Sequence, residues 1–194
     1  MFKVIAETPW NKLQSQIRAV SLLEPRQGEI IYPYATAQIT LYDIPYDAIR
    51  PTSLYVLTGN LALQEELATD LASQGYDPLA LRGSLTVQKD DEEPVGLIPP
   101  IIEYTHEAGR YLLDGLHRSY LGWQAGRPTL RGIHIVGIRE DCPASVFPNA
   151  WEDIVQYETV PADPQLKRRY HPNPLSLRRD FSHLNGSHPR NGRP

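Results

Sequence analysis

The sequence predicts an α+β domain, a small mixed sheet with flanking helices, over residues 1–160, followed by a Pro-rich basic tail over residues 161–194. Three observations predict it. Short apolar runs lie at 53–57, 97–103, 111–113 and 130–138, the last of them rich in β-branched residues, and are bounded by Gly, Pro or Asp. Apolar residues recur at helical spacing in 11–23, 60–75 and 116–125. The charge also breaks. Residues 1–166 hold 12 basic and 22 acidic residues, whereas 167–194 hold 7 basic residues and the single acid Asp180.

The remaining composition narrows the class. At 194 residues the chain is long enough for one sizeable core. An apolar fraction of 41% with 22% charged residues is that of a globular protein. The net charge of −4 gives no strong pull toward nucleic acid or anionic membrane. A single cysteine, Cys142, excludes a disulfide framework and a cysteine zinc cluster within the chain. Met1 to Trp10 shows no secretory pattern, and no stretch reaches the roughly 20 apolar residues of a membrane helix. The expectation is a soluble, cytoplasmic protein.

Taken in order, residues 2–5 form a short strand or arm. Asn11 to Leu23 reads as a helix with Leu13, Ile17, Val20 and Leu23 on one face, ended by Pro25. Glu29 to Thr40 and Tyr42 to Tyr46 are strand-like but interrupted by prolines, which places them at an edge. The tyrosines between 32 and 55 are either half-buried packing, the reading we favour, or a stacking surface for bases. Ser53 to Leu57 is a strand. Asn60 then caps a helix that buries Leu63, Leu67 and Leu71 and stops at Gly75. Pro78 to Val87 is extended. Gln88 to Pro94 is an acidic loop read as a solvated face, so no metal cluster is assigned to it. His134 falls inside the strand 130–138 as a face residue. Phe147 to Gln156 reads as a short helix that Asn149 could cap. In the tail, Leu175, Leu177 and Phe181 are placed to dock Arg178–Phe181 back on the body. The basic charge of 167–193 then either lies against the acidic body, which we favour, or meets a nucleic acid or protein partner.

The stretch that carries chemistry is Arg110 to Gly126. Tyr111, Leu112 and Leu113 end at Asp114-Gly115, and Leu116, Tyr120 and Trp123 follow on one helical face. This predicts strand, tight turn and helix. The first turn of such a helix presents unpaired N–H groups at the positive end of its dipole. Gly115 lets a ligand approach the backbone. The backbone of Gly115, Leu116 and His117, the side chains of His117 and Arg118, and the Ser119 hydroxyl are the candidate phosphate-binding groups. Asp114, Glu103 and His117 are the candidate catalytic groups. Asp114 would orient or deprotonate a hydroxylated acceptor, or hold Mg²⁺. An ordinary strand-to-helix connection accounts for the same residues without a ligand.

Asp114-Gly115-Leu116-His117-Arg118 resembles the Asp-Gly-x-His-Arg signature of the ParB/sulfiredoxin superfamily. Leu97 to Glu103 resembles the Pro-Ile-x-Val strand that precedes that signature, and Thr129 to Ile138 the strand that follows its helix. The resemblance covers residues 97–138. It implies nucleotide phosphate bound at the turn, with ATP or another nucleotide and Mg²⁺ as cofactors. Sulfiredoxins carry a nucleophilic cysteine immediately before the histidine; Leu116 stands there, so repair chemistry is excluded and the free serine kinases are the nearest activity class. A partition protein would add a helix-turn-helix domain, for which the Pro-rich sequence after 160 has no room. The expected function is nucleotide-phosphate binding, extending to phosphotransfer onto a small hydroxylated metabolite such as free serine. The alternatives are a non-catalytic nucleotide-binding regulatory module with a nucleic-acid or protein partner, and a fold that serves only as a scaffold.

Overall fold

The computed structural model describes residues 1–139, 149–163, 166 and 177–184. In chain order the elements are β1 (Phe2–Pro9), α1 (Trp10–Arg18), β2 (Gln38–Pro45), β3 (Arg50–Pro51), β4 (Tyr55–Leu57), α2 (Thr58–Ser73), β5 (Gly83–Lys89), β6 (Val95–Leu97), β7 (Ile101–Thr105), β8 (Gly109–Asp114), α3 (Leu116–Gln124), β9 (Thr129–Val136) and β10 (Val155–Tyr157). The fold is α+β. No helix among the described residues is long and apolar enough to cross a membrane.

The central sheet runs β2-β9-β7-β8-β3 and is mixed: β9 lies parallel to β7, β3 parallel to β8, and the other pairs are antiparallel. Its middle strand β7 begins Ile101-Ile102-Glu103, all three with 0% exposure. A strand apolar at consecutive positions must be covered on both faces, and this one is. Ile102 joins Leu112, Leu130, Tyr46 and Trp151 in one core, and Ile101 joins Ile133, Ile135, Leu13 and Ile17 in another. A smaller sheet, β1-β5-β6, packs its own core on Leu67 and Leu71 of α2, and β10 pairs with β4.

Four elements depart from the sequence expectation. The first helix stops at Arg18, because the N–H groups of Ala19 and Val20 turn back to Gln16 and Ile17; Val20 and Leu22 are still buried, but in irregular chain. Strand pairing after Pro33 starts only at Gln38, since the intervening chain folds into a turn that buries Tyr34 and Ala37. The second helix begins at Thr58, so Asn60 is its third residue and not its cap, and Leu61 is buried where Leu63 is exposed. In place of a helix after 149 there is one 3₁₀ turn, Trp151–Asp153, leading into β10. There the Trp151 indole donates to the carbonyls of Tyr46 and Ile49, a tertiary bond that local propensity cannot anticipate. Phe147, Cys142 and Leu175 lie outside the described residues.

Candidate functional site at two helix starts

The signature turn takes the predicted form. β8 ends at Asp114, Gly115 adopts φ 86°, and α3 starts at Leu116. This left-handed conformation suits glycine, and a Cβ at Gly115 would also meet Pro100 at 3.1 Å. Further along the helix, a Cβ at Gly122 would lie 2.3 Å from the Tyr46 hydroxyl oxygen, so α3 is seated closely on the core.

The start of α2 lies beside the start of α3. β3 runs parallel to β8, which carries the following chain through β4 into Thr58 at the same end of the sheet. His117 joins the two: its Nε2 accepts the N–H of Leu57 at 3.1 Å and lies 3.4 Å from Asn60 Nδ2. A nitrogen that accepts an N–H carries no proton, so the ring proton is on Nδ1. Burial lowers the His117 pKa, and the Asp114 carboxylate only partly opposes it. The ring is therefore a neutral clasp between helices. Neither helix start has a side-chain cap bond. Two first turns thus bring positive dipole ends and backbone donors toward one surface.

The other candidate residues are placed differently. Arg118 is buried and donates to the carbonyls of Ile98 at 2.7 Å and Pro78 at 3.3 Å. Burial brings its pKa down to about 10, against the opposing field of Asp114. It ties the chain before β5 and the chain before β7 to α3, and it does not present its guanidinium at the turn. Ser119 is fully buried with its N–H bonded to Gly115 O, and its hydroxyl has no partner among the described residues. The Leu116 side chain packs against the core. Asp114 is half-exposed at the turn.

Glu103 lies apart from Asp114 and His117, in a fully buried cluster. Tyr34 and Tyr111 both donate their hydroxyls to it, Tyr111 at 2.5 Å, and Arg179 donates Nε to Oε1 at 2.8 Å and Nη2 to Oε2 at 3.1 Å. Burial, then the carboxylate beside it, raises the Tyr34 pKa well above the ordinary phenol value. Glu103 is enclosed by these partners, so it is not carried into the site at the turn.

A cleft of about 470 Å³ lies at the opposite end of α3, between Tyr46, Arg50, Trp123 and Arg127. It is separate from the signature turn. At the start of α2 the sequence offers Asn60 as a cap and Gly59 beside it. The signal for a site, a glycine in the first helical turn, was visible, but its proximity to His117 was not.

The model of the ParB CE domain matches residues 12–155, from α1 to the first residue of β10. No curated protein matches the chain, and no solved structure does. The matched span covers well over half of the sequence and contains both helix starts, β7 and the signature turn: the chain belongs to the ParB CE domain family.

Proposed function

We propose that the protein binds the phosphate of a nucleotide at the paired starts of α2 and α3. The observation that carries this reading is the meeting, across the neutral His117 ring, of two helix N-termini whose N-cap residues contribute no side-chain bond. Backbone N–H groups of Leu116 and His117 on one side, and of Thr58 and Gly59 on the other, supply the donors an anion requires. Gly59 keeps its side of the approach open, since a Cβ there would meet nothing within 4 Å. Asp114 opposes a bare anion at this place and suits an anion accompanied by Mg²⁺. That ion takes one or two carboxylates together with phosphate oxygens and water, so a single aspartate fits it. Bound there, Mg²⁺ would neutralise phosphate charge.

Of the three expected catalytic groups, Asp114 alone offers a charged side chain at the turn, because His117 is a neutral clasp and Glu103 is enclosed. This favours nucleotide binding in a regulatory module over phosphoryl transfer. The position of Asp114 at the end of β8, beside the helix start, supports transfer as a second reading, with Asp114 accepting the proton of a small hydroxylated acceptor such as serine. Thermal shifts with ATP, ADP, CTP, GTP and phosphate, each with and without Mg²⁺, test binding. Phosphoserine formation, followed by ³¹P NMR with any nucleotide that binds, separates the two readings: binding without turnover fits the regulatory module, and turnover lost in Asp114→Asn fits the kinase. No shift with any nucleotide contradicts both.

A further inference from the structure

The residues around Glu103 form a groove, and residues 177–184 lie in it as a peptide would. The backbone adds like a short strand. Leu23 N–H donates to Arg178 O at 2.7 Å, Asp180 N–H donates to Ser21 O at 2.8 Å, and Leu22 pairs antiparallel with Arg179. Leu177, Arg179 and Phe181 alternate along the segment, and a turn closed by the Leu184 N–H on Phe181 O then brings in Leu184. Leu177 and Leu184 are buried, and Phe181 packs against the same core as Leu184. Between them Arg179 enters a pocket made for a guanidinium. Two of its nitrogens reach the two Glu103 oxygens, Nε also donates to the Tyr34 hydroxyl at 3.1 Å, and the group lies 5.5 Å from the Tyr34 ring.

Groove and occupant fall on different sides of the end of the family match. Leu22, Tyr34, Glu103 and Tyr111 lie within the family span 12–155, whereas Leu177–Leu184 lies beyond it. Residues 164–176, with prolines at 164, 172 and 174, join the two in sequence. We propose that the groove is a peptide-recognition site for an extended segment that sets an arginine between large apolar residues, and that Leu177–Leu184 fills it in cis as the chain's own competitor. Strand addition supplies the backbone contacts, and the guanidinium pocket supplies selectivity. Lysine has no planar fork and cannot serve both Glu103 oxygens and the Tyr34 hydroxyl together. Emptying the pocket strands a buried carboxylate, which is costly, whereas replacing one arginine by another leaves the pairing intact. The groove therefore favours exchange over vacancy. This inference is independent of the nucleotide reading.

The test uses the full chain with a protease sequence inserted after Tyr170, folded and then cut. A fluorescent peptide of sequence 177–184 is added, and anisotropy follows its uptake while circular dichroism follows the fold. The cut protein is expected to stay folded and to exchange its segment for the peptide. The uncut protein should take it up about 100-fold less well, because the tethered segment competes at high effective concentration. The peptide carrying Arg179→Lys should bind at least about tenfold more weakly. A folded cut protein that takes up no peptide, equal binding of the arginine and lysine peptides, or unfolding on cleavage that added peptide does not reverse would each overturn the proposal.

Discussion

Arg179 holds both carboxylate oxygens of Glu103 across 76 positions of sequence, through Nε at 2.8 Å and Nη2 at 3.1 Å, with 1% and 0% of the two side chains exposed. Burial works against the guanidinium charge, but Glu103 and Tyr34 more than offset it, so the Arg179 pKa stands above the ordinary arginine value. The pair joins the tail to the middle strand of the sheet.

Removing one partner leaves the other charge buried without compensation. Arg179→Ala is therefore expected to lose about 3–5 kcal/mol, a large part of the roughly 5–15 kcal/mol of a typical domain. Urea melts of Arg179→Ala, Glu103→Gln and the double variant measure it. The double variant should be more stable than the sum of the single losses predicts, because the second change removes a charge already unpaired. Additive losses would contradict a direct coupling.

Arg118 is expected to act on stability. Arg118→Ala removes the donors to Ile98 O and Pro78 O and leaves a cavity, at a cost of about 3 kcal/mol. Thermal melting without any ligand reads this directly. A variant as stable as the wild type would contradict the clamp, and would return Arg118 to the list of groups available to phosphate.

Stability should fall at mildly acidic pH through His134. Its Nδ1 lies 3.1 Å from the Tyr42 hydroxyl oxygen, and burial, with the nearby Arg110 charge, lowers its pKa from 6.5 to about 4. The unfolded chain takes up a proton near pH 6.5 that the folded chain refuses until about pH 4. This contribution is therefore fully present above the unfolded pKa, is lost as pH falls through that window, and is constant below it. The loss is on the order of 2 kcal/mol after allowance for screening. His117, shifted the same way, adds to it. Urea melts across the window check this: His134→Phe should flatten the slope, and an unchanged slope would contradict the assignment.

The sequence made the signature turn legible nearly to the residue. Gly115 had to be a turn, Asp114 had to end a strand, and Leu116, Tyr120 and Trp123 had to share a helix face. Strands β7, β8 and β9 were legible for the same reason, since their apolar runs are short and bounded by Gly, Pro or Asp. The destinations of the polar side chains were not. Arg118 beside a Gly turn looks like a phosphate ligand, and only the carbonyls of Ile98 and Pro78, brought in by other elements, show that it faces inward. Glu103 at the end of an apolar run looks like a catalytic acid or a solvated strand end, because its partner is far along the chain. The docking of Arg178–Phe181 is legible through Leu177 and Phe181, with Leu175 outside the described residues, but its centre, Arg179, carries no local signal that separates it from Arg178.

The most direct test of nucleotide binding at the two helix starts is the thermal shift produced by Mg²⁺-nucleotide on the wild type and on Gly59→Asp. Gly59 is exposed, and a Cβ there meets nothing within 4 Å. A carboxylate in the first turn of α2 suits the helix dipole and replaces a poor helix former, so the ligand-free variant should melt at the wild-type temperature or slightly above. The same carboxylate repels phosphate, so the nucleotide shift seen in the wild type should be lost. A Gly59→Asp protein that keeps the full shift would contradict the account, and would place any bound nucleotide elsewhere on the molecule.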